Sequence, residues 1–287
     1  MLRIAIVGAG LMGRNLARVA ASRGADVRLH DSAVATLDAA LVELSRFANV
    51  RRADGMAEAM DGADFAIEAI VENLDAKQAL FETLSRLSPD AILASNTSVL
   101  PITEIALRAE RPQRVVGTHW WNPPQLIPVV EVVRGARTSD ATMERTVSIL
   151  EDLGKTPVRV ERDVPGFVGN RLQHALWREA IALVADGICD ARTVDLMVRN
   201  TIGLRLGEMG PLENADYVGL DLTLAIHEAV LPNLNRDAHA SPHLRALIAQ
   251  GKLGAKSGQG FFRWPAGARE DAARRLSEHV AKQISER

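Results

Sequence analysis

The stretch Arg3-Ile4-Ala5-Ile6-Val7-Gly8-Ala9-Gly10-Leu11-Met12-Gly13 decides the fold. A short apolar run leads straight into three glycines spaced G-x-G-x-x-G, and a helical apolar pattern through Asn15, Leu16 and Val19 follows. Strand, tight turn and helix in that order make a dinucleotide-binding turn. Gly8 permits the turn, Gly10 lets backbone approach a pyrophosphate, and Gly13 lets the helix pack close to the strand. The helix then opens at Leu11 and Met12, presenting free N–H groups and a partial positive charge to phosphates. The competing reading is a tight strand-helix turn with no ligand. Asp31 follows the second strand candidate, Asp26 to His30. A carboxylate there accepts hydrogen bonds from ribose hydroxyls and repels a 2′-phosphate, so NAD is expected rather than NADP. Asp31 as a plain helix N-cap is the alternative, and Arg14 and Arg28, close in sequence, pull toward NADP.

Outward from this turn, short β-rich runs alternate with helical patterns as far as about Asp163. That alternation predicts a parallel sheet covered on both faces. Further strands are expected at Asp64 to Ile67, Ala91 to Ala94, Arg114 to Gly117 and Pro157 to Val160, with an extended run from Ile127 to Val133. Between Asp31 and Glu68 we expect a helix near Ala33 to Phe47, a short strand and a short helix before Asp61. Met143, Val147 and Leu150 mark a helix stopping at Gly154. Beyond Asp163-Val164-Pro165-Gly166 the periodicity is mostly helical, starting with Phe167 to Ala185, with little strand pattern before Phe261-Phe262. Arg274 to Arg287 reads as a polar terminal helix. The predicted architecture is therefore α/β, with a Rossmann-type doubly wound sheet domain over 1–163 and an all-helical domain over 164–287.

Composition excludes several classes. The 287 residues suffice for two domains. With 34 basic against 36 acidic residues, the net charge of -2 argues against a nucleic-acid partner. The lone cysteine, Cys189, forms no internal disulfide, and no Cys/His cluster has metal-ligand spacing, so no metal is expected and a cytoplasmic location is. Arg3 and the apolar run after it imitate a secretory leader, but glycines and Arg14 interrupt it. The uncharged stretch Val115 to Val130 is short and carries Asn122-Pro123-Pro124, so no membrane span is expected.

Chemistry concentrates at Gly117-Thr118-His119-Trp120-Trp121-Asn122-Pro123-Pro124, where a strand ends. Ligands of open α/β sheets gather at such ends. His119 is the candidate general base. Glu131 lies in an apolar extended run, where a buried carboxylate requires a partner, and His119 across a returning loop can supply it. Each residue alone reads as structural, whereas the pair beside a cofactor turn reads as catalytic.

Beyond the glycine turn the ordered blocks are Glu68-Ala69-Ile70-Val71-Glu72-Asn73, Ser95-Asn96-Thr97-Ser98, His119 to Pro123, Val130-Glu131-Val132, Pro165 to Arg171, Gly210-Pro211-Leu212, Asp216 to Asp221 and Lys256 to Phe261. In these blocks the chain resembles the 3-hydroxyacyl-CoA dehydrogenase family along nearly its whole length. The resemblance implies NAD-dependent interconversion of a 3-hydroxyacyl group and its 3-oxo form, by default on a CoA thioester such as 3-hydroxybutyryl-CoA in fatty acid metabolism. It implies that His119 takes the hydroxyl proton and that Glu131 orients and charge-balances it. Imidazole suits that task near neutral pH, and a neighbouring carboxylate stabilises the imidazolium formed. By the same resemblance Ser98 and Asn170 hold the substrate, Asn122, Glu72 and Lys77 contact the cofactor, and the chain forms a homodimer. The plain readings are a turn cap for Ser98, a helix cap for Asn170 and a solvated face for Lys77.

Departures from the family pattern bear on the substrate. Trp120-Trp121 stands where phenylalanines are usual. Family members are longer between Asp31 and Glu68, where a helical arm contacts the coenzyme A portion. Losing that remote surface penalises CoA thioesters. Asn122 to Pro128 is also similar to the gulonate dehydrogenase and lambda-crystallin branch and to members acting on a pyridine carboxylate. The alternatives are thus the same chemistry on a small hydroxy acid, on an aromatic alcohol or aldehyde, or on a carrier-tethered group. A non-catalytic NAD-binding protein is a further alternative. A lysine-dependent relative such as 6-phosphogluconate dehydrogenase fits less well, because Gly169-Asn170-Arg171 supplies no lysine.

Overall fold

A computed structural model describes residues 1–286. The chain divides into two compact units, Met1–Arg171 joined by the chain end from Ser277, and Leu172–Leu276. In the first, one eight-stranded sheet contains β1 (Arg3–Val7), β2 (Asp26–His30), β3 (Val50–Arg52), β4 (Phe65–Glu68), β5 (Ile92–Ser95), β6 (Val115–Trp120), β7 (Val129–Val133) and β8 (Thr156–Val160). Their order is β3-β2-β1-β4-β5-β6-β7-β8, the doubly wound arrangement with two strands appended.

Period-two alternation serves two cores. Ile4 and Ile6 of β1 face one cluster, while Ala5 and Val7 face the other. Over the first face lie α1 (Leu11–Ser22), α2 (Val34–Glu43) and α6 (Asp140–Asp152), burying Leu16, Leu37 and Met143. Over the second lie α3 (Met56–Met60), α4 (Leu74–Leu87) and α5 (Ile102–Ile105), burying Met60, Phe81 and Ile102.

The structure corrects several expectations. The sheet is mixed, because β7 runs antiparallel to β6 and every other neighbouring pair is parallel. A parallel return requires a crossover of about a dozen residues, and only residues 121–128 separate these strands. Helix α2 stops at Glu43, short of Phe47, where the Leu44 N–H closes the helix on Ala40. No strand forms at Phe261-Phe262. Only isolated bridges join Gly254 to Gln259 and Gln259 to Arg263, because Gly254 and Gly258 adopt positive φ and turn the chain.

The second unit is helical, with most of α7 (Gly169–Ala185), then α8 (Ala191–Asn200), α9 (Ile202–Leu206), α10 (Pro211–Val218), α11 (Leu220–Val230) and α12 (Pro242–Ala249). The terminal helix α13 spans Ala268–Ser285. The end of the helix expected over Arg274 to Arg287, Arg287 itself, lies outside the described residues. Among the described residues no helix is long and apolar enough to cross a membrane.

Candidate active site

At the glycine turn each glycine does a different job. Gly8 has φ +102°, and a Cβ there would sit 2.5 Å from the Ala69 carbonyl oxygen. On Gly13 it would lie 1.7 Å from the Gly8 oxygen, so α1 can pack on β1 only without it. A Cβ on Gly10 would meet nothing within 4 Å, leaving open space in front of the first N–H groups of α1. The backbone around Gly10, Leu11, Met12 and Gly13 thus leaves room of the kind a pyrophosphate requires at a helix N-terminus. Asp31 accepts from the N–H of Ala9 at 2.7 Å and of Ala33 at 2.8 Å. It thus clamps the turn while its carboxylate keeps further lone pairs free. It is not the N-cap of α2, a position held by Ala33. Arg14 pairs with Glu43 at 3.1 Å, and Arg28 donates to the Glu58 carbonyl at 3.1 Å, so both guanidinium groups are engaged.

His119 and Glu131 are direct partners across the antiparallel β6/β7 pair. Opposed residues of such a pair project on one face. His119 Nδ1 lies 2.6 Å from Glu131 Oε2, with both side chains buried. The other carboxylate oxygen accepts the N–H groups of Val168 at 3.0 Å and Gly169 at 3.1 Å, where α7 begins. Gly166 (φ +76°) and Phe167 (φ +49°) turn the chain into that helix. The left-handed conformation of Phe167 costs on the order of 1 kcal/mol and is held by complete burial of its ring. An ionised carboxylate only accepts, so Nδ1 carries the proton and Nε2 is left with its lone pair. The imidazole centroid is 5.0 Å from the Trp121 ring and 5.8 Å from Phe167.

Burial works against ionisation of Glu131. The hydrogen bonds from His119, Gly169 and Val168 overcome it, joined by the charge of His119 when its ring is protonated, and hold the carboxyl below the usual range. A carboxylate with depressed folded pKa stabilises the fold above its unfolded pKa and loses that contribution as pH falls through the folded value. The melting temperature should therefore drop below about pH 4 in part through Glu131. Glu131→Gln should melt lower at neutral pH and show a shallower acid fall. Superimposable pH dependences for the two proteins would count against the pairing.

Ser98 is exposed on the loop after β5. That loop is tied down from beneath. Glu72 accepts the Thr97 hydroxyl and the N–H groups of Ser98 at 3.0 Å and Val99 at 3.3 Å. Asn170 Nδ2 donates to the Ser98 carbonyl at 2.9 Å. Lys77 is fully buried, not solvated, with Nζ 2.5 Å from Glu68 Oε1 and 3.2 Å from Glu72 Oε2. Glu68 also accepts from Ser95 Oγ at 2.6 Å and the Ile70 N–H at 2.8 Å. Burial opposes ionisation of Glu72, but the Thr97 hydroxyl, Lys77 and the Ser98 N–H outweigh it and hold its carboxyl below the usual range.

The structure thus gives two bonded pairs, His119 with Glu131 and Asn170 with Ser98, linked through the backbone of residues 168–170, with Glu72 bonded to the Ser98 loop and Lys77 to Glu72. Asn122 is exposed on the 121–128 connection. Sequence reasoning missed Glu68, Thr97 and Lys155. A carboxylate closing the apolar strand Phe65-Ala66-Ile67 was a readable sign for Glu68, whereas nothing local marks Lys155. Its ammonium bonds the carbonyls of Pro124 and of Ile127, the latter at 3.1 Å, and lies 5.6 Å from the Trp120 ring. Burial, with repulsion from Arg23, brings its pKa down to about 8.

Residues 3–164 match the 3-hydroxyacyl-CoA dehydrogenase NAD binding domain, and residues 166–264 match the C-terminal domain of the same enzymes. A probable 3-hydroxybutyryl-CoA dehydrogenase of Deinococcus radiodurans is 38% identical over 92% of this chain and 100% of its own. A 5-formyl-3-hydroxy-2-methylpyridine 4-carboxylate 5-dehydrogenase of Mesorhizobium japonicum is 35% identical over 90% of this chain and 89% of its own. Among solved structures, a 5-formyl-3-hydroxy-2-methylpyridine 4-carboxylic acid 5-dehydrogenase, described as an NAD+-dependent dismutase, superposes with a TM-score of 0.92. It is 32% identical, covering 98% of this chain and 97% of that one. The doubly wound sheet, its dinucleotide turn and these matches define an NAD-dependent oxidoreductase acting on CH–OH donors. Within that class the chain belongs to the 3-hydroxyacyl-CoA dehydrogenase family.

Proposed function

We propose that this enzyme interconverts a 3-hydroxyacyl group and its 3-oxo form, with a 3-hydroxyacyl-CoA thioester as substrate and His119 as general base. The observation that carries this reading is the 2.6 Å contact of Nδ1 with Glu131, which leaves Nε2 as the one basic nitrogen of the ring. Nε2 takes the hydroxyl proton of the substrate, and the imidazolium so formed is stabilised by the buried carboxylate. In reverse, Nε2–H protonates the carbonyl oxygen. When bound, NAD supplies the acceptor of the substrate's hydride. Gly8, Gly10, Leu11, Met12 and Gly13 would hold its pyrophosphate and Asp31 its ribose, and Asn122 and Glu72 would supply further contacts to it. Lys77 acts through Glu72, and Asn170 positions Ser98 to bond the substrate oxygen.

A second reading has a specific observation behind it. Between β2 and β4 the chain has room only for α2, β3 and α3, so a helical arm for coenzyme A is absent from this connection. The high structural similarity to a dehydrogenase of an unconjugated pyridine carboxylate points the same way. A panel with NADH decides between them. If the thioester reading holds, kcat/KM for acetoacetyl-CoA should exceed that for acetoacetate and for pyridine aldehyde carboxylates by at least about tenfold, or 1.4 kcal/mol of transition-state binding. The reverse order would transfer the assignment to a small free acid or aldehyde.

A further inference from the structure

Trp120 and Trp121 are neighbours in sequence with different surroundings. Alternation along β6 turns His119 and Trp121 to one face of the sheet and Trp120 to the other. Trp120 is buried in the first core. Trp121 is half-buried and packs on the imidazole of His119, with ring centroids 5.0 Å apart. Glu131 and Phe167, which also lie against that imidazole, are buried, so Trp121 is the outer contact of the ring. The indole rests on Gly169 as well. A Cβ on Gly169 would lie 2.3 Å from Trp121 Cζ2, 3.1 Å from Cη2 and 3.3 Å from Cε2, all atoms of the six-membered ring. Gly169 opens α7 without a positive φ, unlike Gly166, so its backbone would admit any residue. The indole is what demands a glycine. Gly169 also donates its N–H to Glu131 at 3.1 Å. Trp121 therefore spans from the imidazole to the turn that anchors the imidazole's carboxylate, and all of these residues belong to the first compact unit.

We propose that Trp121 is a positioning residue for His119, and that residue 169 is glycine in order to seat it. The inference rests on His119 being the general base. The bond from Nδ1 to Glu131 fixes one end of the imidazole, but a single hydrogen bond leaves the ring free to tilt, and the second side-chain torsion of histidine is intrinsically broad. Tilt decides where the Nε2 lone pair points. A general base must lie within about 2.6–3.2 Å of the proton it takes, so a small pivot of the ring breaks that reach. A rigid indole held between the imidazole and the first residue of α7 removes the pivot, at the cost of ordering only two torsions. Phenylalanine at this position would leave the space over Gly169 unfilled, because it lacks the second ring.

The test uses the full-length protein, NADH and the best substrate of the panel. Gly169→Ala forces the indole to withdraw by about 1 Å to reach an ordinary contact, and a displacement of that size beside a reacting group costs up to about 10²-fold. Its kcat should fall by about ten- to a hundredfold. Trp121→Ala should lower kcat at least about tenfold, and in both variants the dissociation constant for NAD should change less than about threefold. Combining Trp121→Phe with Gly169→Ala should bring kcat back to within about threefold of Trp121→Phe alone, and should restore the fold if Gly169→Ala by itself melts early. In the His119→Gln protein, where no base is left to position, Trp121→Ala should cost less than about twofold more. Trp121→Ala turning over within about threefold of wild type overturns the proposal, as does a Gly169→Ala defect that Trp121→Phe does not relieve. A full tenfold loss from Trp121→Ala in the His119→Gln protein, or loss of NAD binding in step with turnover, overturns it too. These outcomes leave the general base standing wherever His119→Gln itself is inactive, whereas wild-type turnover in His119→Gln would remove the base and its positioning residue together.

Discussion

Replacing His119 with Gln is expected to lower kcat by about 10²- to 10⁴-fold while the dissociation constant for NAD changes less than about twofold. The glutamine amide can still donate to Glu131 Oε2, so the buried carboxylate keeps a partner and the β6/β7 pairing keeps its register. What the amide cannot do is accept a proton at the position of Nε2. The glycine turn lies on a different strand end, at β1, where Gly8 and Ala9 bond His30 and Asp31, whereas His119 bonds Glu131. Steady-state turnover with NADH and the best substrate of the panel, together with a binding isotherm for NAD, separates the two effects. Turnover within a few fold of wild type would remove the general base from this account. Loss of NAD binding in parallel with turnover would point to a structural role for the ring.

The second large effect is on stability. Lys77→Met should destabilise the first unit by about 3–5 kcal/mol, because it leaves the carboxylate of Glu68 in the interior without its cation. The desolvation of both charges is compensated only while they are paired. The double variant Glu68→Gln with Lys77→Met should recover a large part of the loss, since two neutral groups then replace the ion pair. Activity should follow a different course. Glu72 loses one of its partners and holds the Thr97-Ser98-Val99 loop less firmly, so KM should rise even where the fold is restored. Denaturant unfolding of the three proteins measures the first effect and steady-state kinetics the second. A single variant as stable as wild type would mean that the buried pair contributes little to this fold.

The legible part of the molecule is the part governed by local rules. Alternation in Arg3 to Val7, the three glycines, and the strand at Asp26 to His30 with Asp31 after it are all within about 30 residues of one another, and each follows from backbone sterics and residue periodicity. Those rules determine a doubly wound sheet, a dinucleotide cradle and the candidacy of His119 and Glu131. They left Lys77 open between a cofactor contact and a solvated face, and its burial against Glu68 rules out the second only once the loop and strand ends that cover it are in place. They misjudged Phe261-Phe262, where the flanking glycines turn the chain out of any ladder.

Tertiary structure alone decided how the candidates meet. His119 touches Glu131 because a connection too short for a crossover forces β7 to return antiparallel, and because the register sets those two residues opposite each other. Glu131 is fixed on its far side by N–H groups 37 and 38 residues away, and Ser98 is tied to Asn170 across 72 residues. Contacts of that separation depend on which surfaces pack together, and a local pattern carries no record of them.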